Sequence, residues 1–246
     1  MNIEISKKKQ LLESRAPFEP ELRQAFRQQS LLDMIFSGLR LQGSKLTRED
    51  IKTILDGNVI REVTIQEHII IDRYTAVYHE MTEMLHMGSV LNLRTLKRLY
   101  ACMAGCSIEE IQYRKNTPVI HELSYMPPLP QEIPEQLEIL MKWISVDKEE
   151  EKGSELLKAA HFHNRLVEVF PFDAGNRELA RVALSFYMQS HGYPVFPFNF
   201  SESEYNEAIA LYIKKEDIGP FYSGLERSLY NKLDWMVQMT EKENEY

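Results

Sequence analysis

Apolar residues along this chain recur at helical rather than strand spacing, with polar residues between them. Leu22, Phe26, Leu32, Ile35 and Phe36 follow one helix face, interrupted by polar Gln28-Gln29, as a 3.6-residue period requires. Thr47-Arg48-Glu49-Asp50 and Thr64-Ile65-Gln66-Glu67 have the Ser/Thr-x-x-acid form of a capping box, in which side chain and backbone satisfy each other at a helix start. The first predicts a short helix ended by Asp56-Gly57-Asn58, the second a long one running towards Met87-Gly88. Leu93, Leu96, Leu99 and Met103 predict an amphipathic helix ending near Gly105.

The pattern changes from Ile111 to about Pro130. Gln112-Tyr113-Arg114, a turn-like Lys115-Asn116-Thr117-Pro118 and then Val119-Ile120-His121-Glu122-Leu123 read as a short β-hairpin. Pro127, Pro128 and Pro130 end any strand and lead into a helix at about Glu132–Ile144. Asp147 to Lys152 with Gly153 is a charged connector. A long helix follows from Ser154 to Val169, with Leu156, Ala160, His163, Val167 and Phe170 on one face. A second helix runs from about Glu178 to Ser190, closed by Gly192. Ser201-Glu202-Ser203-Glu204 caps a further helix, and Phe221, Leu225, Leu229, Leu233 and Met236 mark the last. The expected fold class is mainly α with one small β-hairpin. The organisation is an N-terminal helical extension over residues 1–30 and a single domain over 31–246.

Composition narrows the partners. A net charge of −8 argues against a large phosphate-binding face, so nucleic acid is not an expected partner. MNIEISKKKQ has no apolar run behind its charges, and no stretch reaches the length of a membrane span. The two cysteines, Cys102 and Cys106, read as small apolar residues in a reducing cytoplasm, not as metal ligands. His161 and His163 are two apart, so a helix points them in different directions. His163 shares the apolar face and reads as a satisfied core histidine.

The segment with the most chemistry is FPFDAGNRELAR, Phe170–Arg181. A Gly-Asn turn entering a helix aims backbone N–H groups into the loop, which is a ready anion site. A plain corner between two helices explains the same residues, and physical reading alone leaves both open. The segment resembles the signature of the Fic family, His-Pro-Phe-x-Asp/Glu-Gly-Asn-Gly-Arg-x-x-Arg, without a gap. SGLRLQGSKLTREDIKTIL resembles the family's inhibitory segment, IQYRKNTPVI its target-docking flap, and HGYPVFPF the stretch after the signature helix. The similarity runs from Leu31 to about Tyr230.

Members of that family transfer AMP from ATP to a target hydroxyl. The resemblance implies that the signature His is the general base, that the acid holds Mg²⁺, and that the Gly-Asn-Gly turn and first Arg grip phosphates. This chain keeps Pro171, Phe172, Gly175, Asn176 and Arg181. Gly175, Asn176 and Arg181 are the expected nucleotide-binding remnant. It departs at four positions: Phe170 stands for the His, Ala174 for the acid, Arg177 for the second Gly and Glu178 for the first Arg. Phe accepts no proton, and a general base contributes about 10²–10⁴ in rate. Ala binds no metal, Arg177 adds a side chain where backbone approaches phosphate, and Glu178 reverses a charge. No metal site is expected.

The inhibitory motif Ser/Thr-x-x-x-Glu-Gly/Asn aligns with Gly38, Gln42 and Gly43. Gln42 replaces its Glu, and a Gln42–Glu178 contact is expected in place of Glu–Arg. Tyr100 stands where relatives carry a helix His. Arg114, Val119, Ile120, His121, Glu122 and Leu123 form the expected docking flap, offering backbone groups to an added strand of a partner.

The reading is therefore a cytoplasmic Fic-fold protein without the transferase chemistry, acting through a protein partner. No cofactor is required, and ATP with Mg²⁺ binds weakly at most. A divergent transferase with another phosphate-containing donor, or a nucleotide sensor, stays open. Nothing in the sequence sets an oligomeric state.

Overall fold

Helix boundaries in the computed structural model, which describes residues 2–61, 63–146 and 155–243, follow the capping chemistry. The described helices are α1 (Asn2–Ser14), α2 (Pro20–Arg40), α3 (Arg48–Leu55), α4 (Ile65–His86), α5 (Leu93–Ala104), α6 (Ile133–Ser145), α7 (Glu155–Val169), α8 (Asn176–Ser190), α9 (Glu202–Lys215) and α10 (Gly219–Glu243). Thr47 with Asp50, Thr64 with Glu67 and Ser201 with Glu204 form reciprocal capping boxes at the starts of α3, α4 and α9. The polar pair Gln28-Gln29 does not interrupt α2. The charged connector Asp147–Lys152, Gly153 and the helix start at Ser154 lie outside the described residues.

α8 is the central element. Every residue from Leu179 to Met188 is buried, and a helix covered on all faces belongs at the middle of a bundle. α7 packs against it more extensively than any other two elements pack together, and fully buried Ala159, Ala160, Ala180 and Ala183 keep both helices slim. α4 and α5 pack on α8, while α6, α9 and α10 pack on α7.

The N-terminal extension joins the same body. Ile5 and Leu12 enter the core, Lys8 pairs with Asp234 at 2.6 Å, and Arg15 donates to the Val237 carbonyl at 3.1 Å. The boundary at residue 30 falls inside α2. Asp33 of α2 is 2% exposed, and its carboxylate accepts from Arg48 at 2.6 Å and Lys232 at 2.8 Å. A buried carboxylate without such partners would be strongly destabilising; here it ties α2 to α3 and α10. Among the described residues no helix is long and apolar enough to cross a membrane.

The mainly helical expectation holds, but the β-hairpin does not. The described residues contain no strand in the stretch from Ile111 to Leu123, only an isolated bridge between Ile120 and Tyr125. The two exchange backbone bonds of 2.8 and 3.2 Å around a 3₁₀ turn at His121–Leu123. Ser124 closes this turn with φ 47°. A longer ladder is blocked because Pro118, Pro127 and Pro128 have no N–H to donate, and Arg114 is bonded to the carbonyls of Val169 and Phe170 instead of pairing within a hairpin.

Candidate functional site

The loop between α7 and α8 is held from three sides. At its start Phe170 adopts φ 47°, a left-handed conformation costing a non-glycine residue about 1–3 kcal/mol. Arg114, only 2% exposed, compensates for it. Its Nε donates to the Phe170 carbonyl at 2.7 Å, and its Nη atoms reach Asn116 O at 2.9 Å, Pro128 O at 2.5 Å and Val169 O at 3.4 Å. The backbone N–H of Arg114 also donates to Pro171 O at 3.0 Å. One guanidinium thus caps the C-terminal carbonyls of α7 and staples the 111–130 segment to the loop.

Asn176 closes the loop from within. Its amide accepts from Phe172 N–H at 2.9 Å and donates to Phe172 O at 2.8 Å, which occupies both ends of a side chain 2% exposed. Tyr100 holds it from outside: its ring stacks on Phe172 with centroids 3.7 Å apart, and its hydroxyl donates to Ala174 O at 3.0 Å. α8 then starts after Gly175, whose φ of 73° favours a residue without Cβ. No side chain caps the first N–H groups of α8.

A cleft of ≈ 320 Å³ opens beside this loop, between Ala174, Gly175 and Glu178 on one side and α2, α4 and α5 on the other. Gln42 lines it from the end of α2, but its amide donates to Gly38 O at 3.2 Å. The expected Gln42–Glu178 contact is not formed; the nearest cationic partner of Glu178 is Arg181, at 3.8 Å. Gly38 sits where a side chain cannot: a β-carbon there would run into the Tyr74 ring, so glycine is needed for α2 to cross α4. Arg177 turns to α9 and donates to Asn206 Oδ1 at 2.7 Å.

Arg181 does not reach the cleft lining. It is 4% exposed and donates to the hydroxyls of Tyr205 at 3.3 Å and Tyr74 at 3.2 Å, with the guanidinium over the Tyr205 ring. Tyr205 OH lies 2.8 Å from His163 Nε2, and His163 Nδ1 lies 2.8 Å from Asn164 Oδ1. One donor direction satisfies the chain: Arg181 to Tyr205, Tyr205 to His163, and His163 to Asn164. Burial pushes His163 down to about 3 and the Tyr205 hydroxyl up to about 12, so both are neutral near pH 7. His163 is a satisfied core histidine. His161, on another face, faces Tyr212 and Trp143.

The structure thus divides the sequence-based candidates. Ala174, Gly175, Glu178 and Gln42 meet at the cleft, with Gly43 (φ 81°) next to Gln42 in the turn after α2. Phe170 and Arg114 meet on the stapled side, Arg181 lies in the core, and Asn176 is engaged with the loop backbone. In the flap-like turn, Ile120 and Leu123 are buried, while Val119, His121 and Glu122 are exposed. Sequence reasoning missed Tyr74, Tyr205 and the cleft-lining Gln66 and Arg73; the spacing of Gln66, Ile70, Arg73 and Tyr74 is the signal that could have found them.

Ala174 offers no carboxylate where the family signature has one, and among the described residues no three His, Cys, Asp or Glu side chains group as metal ligands. Glu178 places negative charge at the start of α8.

Comparisons with known proteins give one family. Residues 90–188 match the family model of the Fic/DOC family. A Fic-domain-containing signalling protein from Bacteroides thetaiotaomicron superposes with TM-score 0.80 at 19% identity, covering 97% of each chain. Fic-1 (residues 134–508) from C. elegans superposes with TM-score 0.78 at 18% identity, covering 98% of this chain and 72% of that one. A Fic family protein from Desulfovibrio desulfuricans gives 0.67 at 14% identity over 100% and 75%. Comparison with curated proteins finds no match.

Proposed function

We propose, starting from the match of residues 90–188 to the Fic/DOC family, that the chain has given up AMP transfer and acts by binding other molecules. The observation that carries this reading is Phe170. The residue at the signature's general-base position has no proton-accepting side-chain atom, and its ring packs against the hydrophobic core. Ala174 and Glu178 act in the same direction by withholding a metal ligand and a phosphate-binding cation, while Arg177 turns its side chain to Asn206 of α9. The loss of one such group costs orders of magnitude in rate, and the losses need not be additive.

On this reading the 111–130 segment is the protein-binding surface, in an altered form. Ile120 N–H is already bonded to Tyr125, so the segment does not offer an open strand edge at that residue. It instead presents side chains: Val119 is 50% exposed, Met126 62% and Leu129 49%. No cofactor is needed for such a role.

The test is a calorimetric titration of the full chain with ATP, with and without Mg²⁺. Weak binding that is indifferent to Mg²⁺ agrees with the reading. Tight, magnesium-dependent binding would mean that the site has been rebuilt around other residues.

A further inference from the structure

Three helical faces converge on the cleft beside the signature loop. α4 contributes Gln66, Ile70, Arg73 and Tyr74 at i, i+4, i+7 and i+8, one face of a helix. α5 adds Met103, and α8 adds Glu178 from its first turn. The side chains of Arg73 and Gln66, both on exposed residues at the cleft rim, make no hydrogen bond or ion pair with other described residues. Gln42 spends only its amide nitrogen, and Glu178 has only a long contact with Arg181. Unspent donors and acceptors therefore surround an apolar floor of Ile70 and Met103. This is the usual composition of a small-molecule site.

The charges select the ligand. Among the described residues the lining holds one cation, Arg73, and one anion, Glu178, carried by different helices. A triphosphate would meet that single cation together with a repelling carboxylate. A net-neutral ligand with separated charges meets one partner for each end. The volume of ≈ 320 Å³ is near the lower limit of ligand pockets, about 300 Å³, and suits a ligand smaller than a nucleotide. Tyr74, beside that floor, is fixed: it is held by Arg181 on one side and by the contact at Gly38 on the other.

We propose that this cleft binds a free α-amino acid with an apolar side chain, its ammonium on Glu178, its carboxylate on Arg73 and its side chain on Ile70 and Met103. The proposal rests on the reading that the signature cleft no longer serves a nucleotide. Gln66 and the Gln42 carbonyl oxygen supply further hydrogen bonds to the two charged ends.

The experiment is calorimetry on the full chain with L-leucine, L-methionine and L-phenylalanine, their N-acetyl and carboxamide derivatives, and ATP. At least one free amino acid binds, and blocking either charged end weakens it by about tenfold or more. In Glu178→Gln the free and N-acetylated forms bind alike, and in Arg73→Gln the free acid and the carboxamide bind alike, as a double-mutant cycle requires. Thermal melting establishes that both variants are folded. No binding of any of the three up to about 10 mM, a limit below which even weak sites register, overturns the proposal. So does equal binding of the blocked derivatives to the wild type. Either failure leaves the loss of AMP transfer standing, since transfer is read by label incorporation and not by these titrations.

Discussion

Arg114→Ala removes the staple between the 111–130 segment and the signature loop, and its cost can be worked from the contacts. The guanidinium makes three good bonds to carbonyls, at 2.5, 2.7 and 2.9 Å, and one long bond at 3.4 Å. Bonds to a charged donor contribute about 1.5–3 kcal/mol each. That is an upper bound here, because the truncated site also recovers the desolvation cost of the guanidinium and some carbonyls regain water. Removing one partner from a buried charged arrangement costs about 3–5 kcal/mol, and the lower half of that range fits a group satisfied by neutral carbonyls. For a chain of this length 1 kcal/mol moves Tm by about 2–4 °C, so Arg114→Ala should melt about 6–16 °C below wild type. Arg114→Lys should fall between the two, since an ammonium reaches fewer of the four carbonyls. Scanning calorimetry reads the shift, and hydrogen exchange at Ile120 N–H reports release of the turn. A Tm within about 4 °C of wild type, with Ile120 still protected, would refute the staple.

Other expectations follow from the core and the loop. Burial holds His163 at about 3 in the folded chain against the ordinary imidazole value of 6.5, so between those values the unfolded state binds the extra proton. Its contribution is complete above pH 6.5 and is lost as pH falls, by about 1.4 kcal/mol per unit. His163→Gln should flatten urea-derived stability between pH 6.5 and 5 relative to wild type; an unchanged slope rejects the buried neutral imidazole. His161, lowered by burial in the same direction, remains in both proteins and cancels. Gly38→Ala should lose about 1–3 kcal/mol from overpacking against Tyr74, and a thermal shift under about 2 °C would contradict that contact. Phe170→His alone should restore no AMP transfer, because Ala174 and Glu178 remain; label incorporation by that variant would show the other departures to be tolerated.

Local signals carried most of the helical architecture, and long-range ones did not. The capping boxes at Thr47, Thr64 and Ser201 are complete within four residues, so sequence alone located three helix starts. The expected hairpin failed because alternation around Ile120 is a local pattern, whereas Arg114 is drawn away by carbonyls of Val169 and Phe170, more than fifty residues on. The site divides similarly. Ala174, Gly175, Glu178 and Gln42 were legible through family resemblance and do meet at one cleft. The partnership of Arg181 with Tyr74 and Tyr205, and the reason for glycine at 38, depend on helices crossing far apart in sequence. Tyr100 also became interpretable only in three dimensions, through its stacking on Phe172.

Transfer itself is decided by incubating the wild-type chain with Mg²⁺ and ATP labelled at the α-phosphate, alone and with candidate target proteins, and measuring label that survives denaturation. The proposed loss of the base, the metal ligand and the phosphate-binding cation at positions 170, 174 and 178 predicts no incorporation above a heat-inactivated control. Incorporation by the unmodified chain that disappears in Asn176→Ala would contradict that prediction and return the protein to the transferases.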